Sequence, residues 1–265
     1  MRNIKIILLG LVLIFNLNCS KTQEVTPSEQ SIVSAGTDDK VLIRLKPNVG
    51  DSQKIAMIMD MSSEGQQAIS MDMNAQMNLK VSAKEETVYT YDVSYNSMKL
   101  NMNMGAMEIS YNSEDKEHEG TAAMLHNQMK VLLENTISLK MDEMGFVSDI
   151  LLPGNITAEQ AGDMNSLSIP LPKEPVGEGD TWTAERPMQG MGVMKMNMEV
   201  EKVTVDDVII KTTGEMVDTA GTSIGTFDGN YTLDRDNGLT KDGTMNMNIS
   251  VEKQKINMKI NFKSI

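Results

Sequence analysis

Methionine stands at every second position through long stretches of this chain, and that spacing suits a pleated sheet far better than a helix. Ile69, Met71, Met73, Ala75, Met77, Leu79 and Val81 are seven apolar residues at odd positions in succession, separated by Ser70, Asp72, Asn74, Gln76, Asn78 and Lys80. A strand turns alternate side chains to opposite faces, so this segment has one dry face and one wet face. The pattern recurs at Met57-Met59-Met61, Met98-Leu100-Met102-Met104, Met194-Met196-Met198-Val200, Met245-Met247-Ile249-Val251 and Ile256-Met258-Ile260-Phe262. One-sided alternation marks antiparallel sheet, because parallel strands buried on both faces read as unbroken apolar runs. Asp236-Asn237-Gly238, Asp206-Asp207 and Lys84-Glu85-Glu86 supply reversals between such strands. Asp234 to Gly238 loosely resembles a calcium loop, but it lacks that loop's later acidic positions, so the hairpin reading is the better one.

Ala122, Leu125, Met129 and Leu132 break the rule of two and share a helical face, which predicts a helix over Thr121–Asn135. A shorter helical piece is expected over Thr157–Met164. Val49-Gly50-Asp51-Ser52 and Glu178-Gly179-Asp180-Thr181, 129 positions apart, read as the starts of two copies. Val81 to Glu85 then parallels Val203 to Asp207. The expected fold is therefore mainly β. It is one large curved antiparallel sheet or partial barrel with an internal pseudo-repeat, and one main helix packs on its apolar face. Residues 41–265 form a single domain, with half-repeats at about 41–112 and 172–265 and a helical middle at about 117–165.

The first 18 residues read as an export signal. Arg2 and Lys5 precede an apolar run from Ile6 to Phe15, too short for a bilayer-spanning helix. The single cysteine follows in Asn16-Leu17-Asn18-Cys19-Ser20, a placement that resembles bacterial lipoprotein signals. Leu17 sits one place late for those signals, and Asn18 fills the small-residue position. Cys19 is the expected lipidation site, tying the chain to a membrane, more favourably the outer one, with the body in the periplasm or at the cell surface. Residues 19–40 are the expected flexible tether.

Composition narrows the function. With 37 acidic and 24 basic residues the net charge is −13, which argues against nucleic-acid binding. One cysteine excludes a disulfide framework. No nucleophile elbow, phosphate loop, His-Glu-x-x-His or dinucleotide fingerprint occurs, so no enzyme activity and no cofactor are expected. His118 and His126 are too far apart for chelation if both are helical; His118 is expected to precede the helix, in a solvated or capping role.

Ile169-Pro170-Leu171-Pro172-Lys173-Glu174-Pro175-Val176, running into Gly179-Asp180-Thr181-Trp182, together with Gly50-Asp51 and the alternating methionines, resembles a domain-of-unknown-function family of Gram-negative envelope lipoproteins. The resemblance implies a lipid-anchored envelope protein and carries no catalytic or ligand residues.

The 25 methionines leave three readings open. Flexible thioethers fill a core that has few aromatics. Alternatively they line a pliable groove for a lipid, an acyl chain or a protein partner; Met71, Met73, Met77, Met102, Met104, Met194, Met196, Met198, Met245 and Met247 are the candidate contacts. The third reading is Cu(I) or Ag(I) binding through thioethers. A cavity of several hundred Å³ lined by Met71, Met73, Met196 and Met198 would favour the groove.

Overall fold

The computed structural model describes residues 30, 32–35, 39–65, 68–154, 168–188, 192–251 and 254–265. The export signal, Cys19, most of the expected tether and the helical piece expected at 157–164 lie outside them.

The described residues form one antiparallel sheet of 13 strands. In chain order the strands are β1 (Ile32–Val33), β2 (Ser52–Glu64), β3 (Ile69–Glu85), β4 (Val88–Met104) and β5 (Met107–Asn112). Helix α1 (Gly120–Leu133) follows, then β6 (Thr136–Asp142), β7 (Val147–Leu151), β8 (Thr181–Met188) and β9 (Gly192–Val203). The last four are β10 (Asp207–Val217), β11 (Ser223–Asp234), β12 (Thr240–Val251) and β13 (Gln254–Ser264). The order across the sheet is β1-β8-β9-β10-β11-β12-β13-β2-β3-β4-β6-β7, with β5 on the far half of β4. The sheet is thus two meanders joined where the last strand, β13, pairs with β2. The middle stretch expected to be helical also holds β6 and β7, which extend the sheet beyond β4.

The sheet does not close, yet it bends. Nine strand steps separate β8 from β6, about 43 Å if the sheet were flat. The Trp182 indole on β8 donates to the carbonyl of Pro170 (3.0 Å), and the amide of the next residue, Leu171, donates to Met144 in the β6–β7 turn (2.9 Å). A few residues of chain span only about 10 Å, so the two flanks of the sheet curl toward each other. A second irregular segment braces the same end: Val41 pairs with Val176, Leu45 donates to Glu143, and Lys46 donates to Asn237. Ile43, Leu45, Ile169 and Leu171 are buried against the methionine face. These two segments cap one end of the curled sheet.

The two Gly-Asp corners share one geometry. Gly50 and Gly179 both take positive φ, 99° and 81°. The Gly50 amide donates to Val81 and the Val81 amide returns to Asp51; Gly179 and Val200, then Val200 and Asp180, repeat this. Each Asp carboxylate accepts the amide three residues back, Asn48 or Gly177. The hydrogen bonds equate Val81 with Val200, three residues before the expected Val203. The first hairpin is the longer one, so a constant offset does not carry from the corner to the returning strand.

Part of the segment expected as tether is docked on the sheet. The Gln30 side chain donates to Leu171 and accepts from Lys173, and Ile32 and Val33 pair with Trp182 and Thr181. For this stretch β8 offers a free edge and Asp180 offers a charge.

Candidate functional site

The cross-strand register carries the alternation of single strands across the whole sheet. Met247, Met258, Met61, Met71 and Met102 are successive partners on β12, β13, β2, β3 and β4. The next row toward the capped end runs Met245, Ile260, Met59, Met73, Leu100. On the other flank, Met194, Met196 and Met198 on β9 face Met216, Gly214 and Thr212 on β10. The ten candidate methionines thus share one face, as the alternation requires.

They are not equally sheltered. Met71, Met77, Met102, Met104, Met196, Met198 and Met245 are buried, while Met73, Met194 and Met247 are only partly covered. Met194 lies on the β9 flank, while Met73 and Met247 belong to a partly covered group at the middle of the sheet. Met247, Met258, Ile260, Phe262, Met57, Met59 and Met73 are neighbours on β12, β13, β2 and β3, and each retains some exposure. The result is a trough with a thioether-rich floor. Helix α1 leaves this middle uncovered: it buries Leu125 and Leu132, two residues of the predicted face, and packs on β4 and β5 to one side.

At its capped end the trough runs into a cleft of about 80 Å³. Met57, Met77, Met141, Met245, Ile260 and Phe262 line it from the sheet, and Leu45, Ile169 and Leu171 from the cap. Only Met77 and Met245 of the ten candidates reach it. Met71, Met73, Met196 and Met198 do not line it. Their thioethers pack against other side chains instead. The few polar residues around the cleft include Gln53, which donates to Thr240 (2.6 Å), Ser168 and Tyr91. Tyr91 is 1% exposed and its hydroxyl has no hydrogen-bond partner. Burial first, and the Tyr89 phenol second, push that hydroxyl well above the ordinary phenol range, so it stays protonated. The periodicity marks Tyr89 and Tyr91 as inward-facing; nothing local in the sequence shows that one hydroxyl is left unpaired.

His118 does precede α1, as expected, and is half-buried. It stacks on His126 with 4.1 Å between ring centroids, and Tyr111 Oη lies 3.3 Å from His126 Nδ1. His118 Nε2 is buried without a partner. The fold of residues 112–120 back over the helix makes this contact, and spacing alone could not reveal it. No group of three or more His, Cys, Asp or Glu side chains placed to hold a metal occurs among the described residues. The supposed calcium loop is a hairpin: Asp234 accepts the amides of Asp236 and Asn237 and meets Lys241 at 3.0 Å.

No family model matches this chain, and no curated protein does. Among solved structures it is similar to a chain of lipovitellin from a study of lipid–protein interactions, with a TM-score of 0.53 at 11% identity. The match covers 83% of this chain and 25% of that one, so the chain spans about a quarter of lipovitellin's length. At that identity the likeness is one of fold alone. An outer membrane channel from Pseudomonas putida F1 matches at a TM-score of 0.28 and 7% identity, over 83% of this chain and 97% of that one. A DUF1329 family protein from Desulfovibrio piger matches at 0.22 and 10%, over 82% and 87%. Neither score is high enough to indicate a common fold.

Proposed function

We propose that this protein is a non-catalytic, lipid-anchored envelope protein of the resembled family that holds an acyl chain against the methionine face of its sheet. One observation carries the reading. The apolar face is left partly open where the methionines are most concentrated, along β12, β13, β2 and β3. A face meant only as core would be covered there, as it is at Met198 and Met196. Thioethers re-pack around varied chains at little cost, so the small size of the unliganded cleft is compatible with a longer guest. Lipovitellin, whose structure was studied for lipid–protein interactions, lends support by its fold. Anchoring at Cys19 would keep the trough within reach of a membrane, and the polar residues after it would let the domain reorient.

A second reading has its own support. Five consecutive cross-strand methionines place thioethers on neighbouring strands, where opposed Cβ atoms stand about 5 Å apart. That is closer than alternate positions on one strand, and soft ions such as Cu(I) and Ag(I) favour such ligands.

Native mass spectrometry of protein purified from its own envelope tests both. Co-purifying lipid removed by delipidation and restored by added lipid is the expected result. Protein that carries no lipid and takes up none overturns the acyl reading in favour of a filled core. Retention of Ag(I) through desalting by such lipid-free protein would favour the thioether ladder.

A further inference from the structure

A buried hydroxyl with no partner costs free energy unless something completes it. Tyr91 is such a group, and it lines the cleft where the cap meets the sheet. Its register partners are Val81 on β3 and Leu139 on β6, both apolar, so the sheet itself offers the hydroxyl nothing. The side chains around the cleft include no Lys, Arg, His, Asp or Glu. An ionised carboxylate seated there would be buried without a counter-charge, which is costly. A neutral carbonyl meets no such penalty and accepts one hydrogen bond.

We propose that the cleft is the head-end subsite for an acyl ester, with the Tyr91 hydroxyl donating to the ester carbonyl and the chain lying along the methionine trough toward the uncapped end. This rests on the acyl reading above and adds its polarity and its ligand class. The buried hydroxyl is a donor throughout the physiological range, because its pKa is raised by burial and by Tyr89. The cap sets the direction: Leu45, Ile169 and Leu171 close the head end, so an acyl tail can extend only over Met57, Met59 and Met73.

The test uses the purified, delipidated chain and Tyr91→Phe, with displacement of a fluorescent apolar probe by methyl palmitate, palmitate and hexadecane. The substitution removes an unsatisfied hydroxyl, so thermal stability should hold or rise. Methyl palmitate should bind wild type about tenfold more tightly than the variant, the worth of one hydrogen bond. Hexadecane should bind the two equally, and palmitate at pH 8 should bind wild type more weakly than the ester. Equal ester affinity for both proteins overturns the anchor while leaving the trough intact. Equal losses for ester and hexadecane make Tyr91 a packing residue and also overturn it. Failure of all three compounds to bind wild type overturns the acyl reading itself.

Discussion

The buried carboxylate of Asp180 holds the Lys40 ammonium at 3.2 Å, and with the Ala35 amide it fastens the chain ahead of the first long strand to the sheet edge. Asp51, at the matching corner, is exposed, and its carboxylate is paired only with nearby Asn48. One copy of the corner has been put to use as a clasp, and the other closes a turn.

Asp180→Asn should therefore loosen residues 32–35 and Lys40 and cost about 2 kcal/mol, the scale of hydrogen bonds to a charged group. Asp51→Asn should cost much less. Burial by itself would raise the Asp180 pKa, but the Gly177 and Ala35 amides and Lys40 outweigh it and hold the carboxyl below its ordinary value of 3.8. Since the folded value is the lower one, the clasp is complete above the ordinary value and is lost as pH falls through the folded value. Amide exchange at Ala35 measured down a pH series should show protection failing only in that acid range, whereas Asp180→Asn, which has no carboxyl to titrate, should show the weaker protection at every pH and no acid step of its own.

The strands, their inward faces and the main helix could all be read from the sequence, because each is a local period. Met71 faces inward for the same reason that Asp72 does not. What escaped was whatever depends on strand order. The pairing of β13 with β2 brings Met258 to Met61, and nothing in either segment names the other. The cap escaped as well, because Ile169–Val176 has no period, only prolines. The cleft is made by that cap, and so the candidate site was legible as a face but not as a place. The stacking of His118 on His126 depends in the same way on a loop folding back.

Leu125 and Leu132 are the buried anchors of α1, and the His118–His126–Tyr111 stack adds to them. Leu132→Ala should cost about 2–5 kcal/mol, as for other large-to-small core changes. His126→Ala should cost about 1 kcal/mol, the worth of an aromatic pair. Urea denaturation measures both. Neither should alter binding of an apolar ligand, since α1 lies to one side of the trough.

Gly243 sits between Tyr231 and Phe262 in register, and their rings, 5.6 Å apart, lean over it. A Cβ there would meet Phe262 Cζ at 2.4 Å and Tyr231 Cδ1 at 3.0 Å. Phe262 lines the cleft. Gly243→Ala should push that ring into the cleft, cost about 1–3 kcal/mol through overpacking, and weaken ligand uptake more than stability alone explains. The comparison is probe binding at temperatures well below the melting point of the variant.

Oxidation by peroxide ranks the methionines by access, because each sulfoxide makes an apolar group polar and buried sulfurs react last. Met107 and Met124, 38% and 42% exposed, should react first. The trough residues Met57, Met59, Met73, Met247 and Met258 should follow, and Met196, Met198 and Met216 should resist longest. An acyl ester bound in the trough lies against the middle group alone, so its addition should slow that group and leave the other two unchanged. Peptide mapping by mass spectrometry reads all three groups in one experiment. Uniform protection would mean general stiffening and not a guest on the sheet. Absence of any ligand effect, with the trough methionines as resistant as Met198, would mean that the face is closed and the methionines are there to fill it.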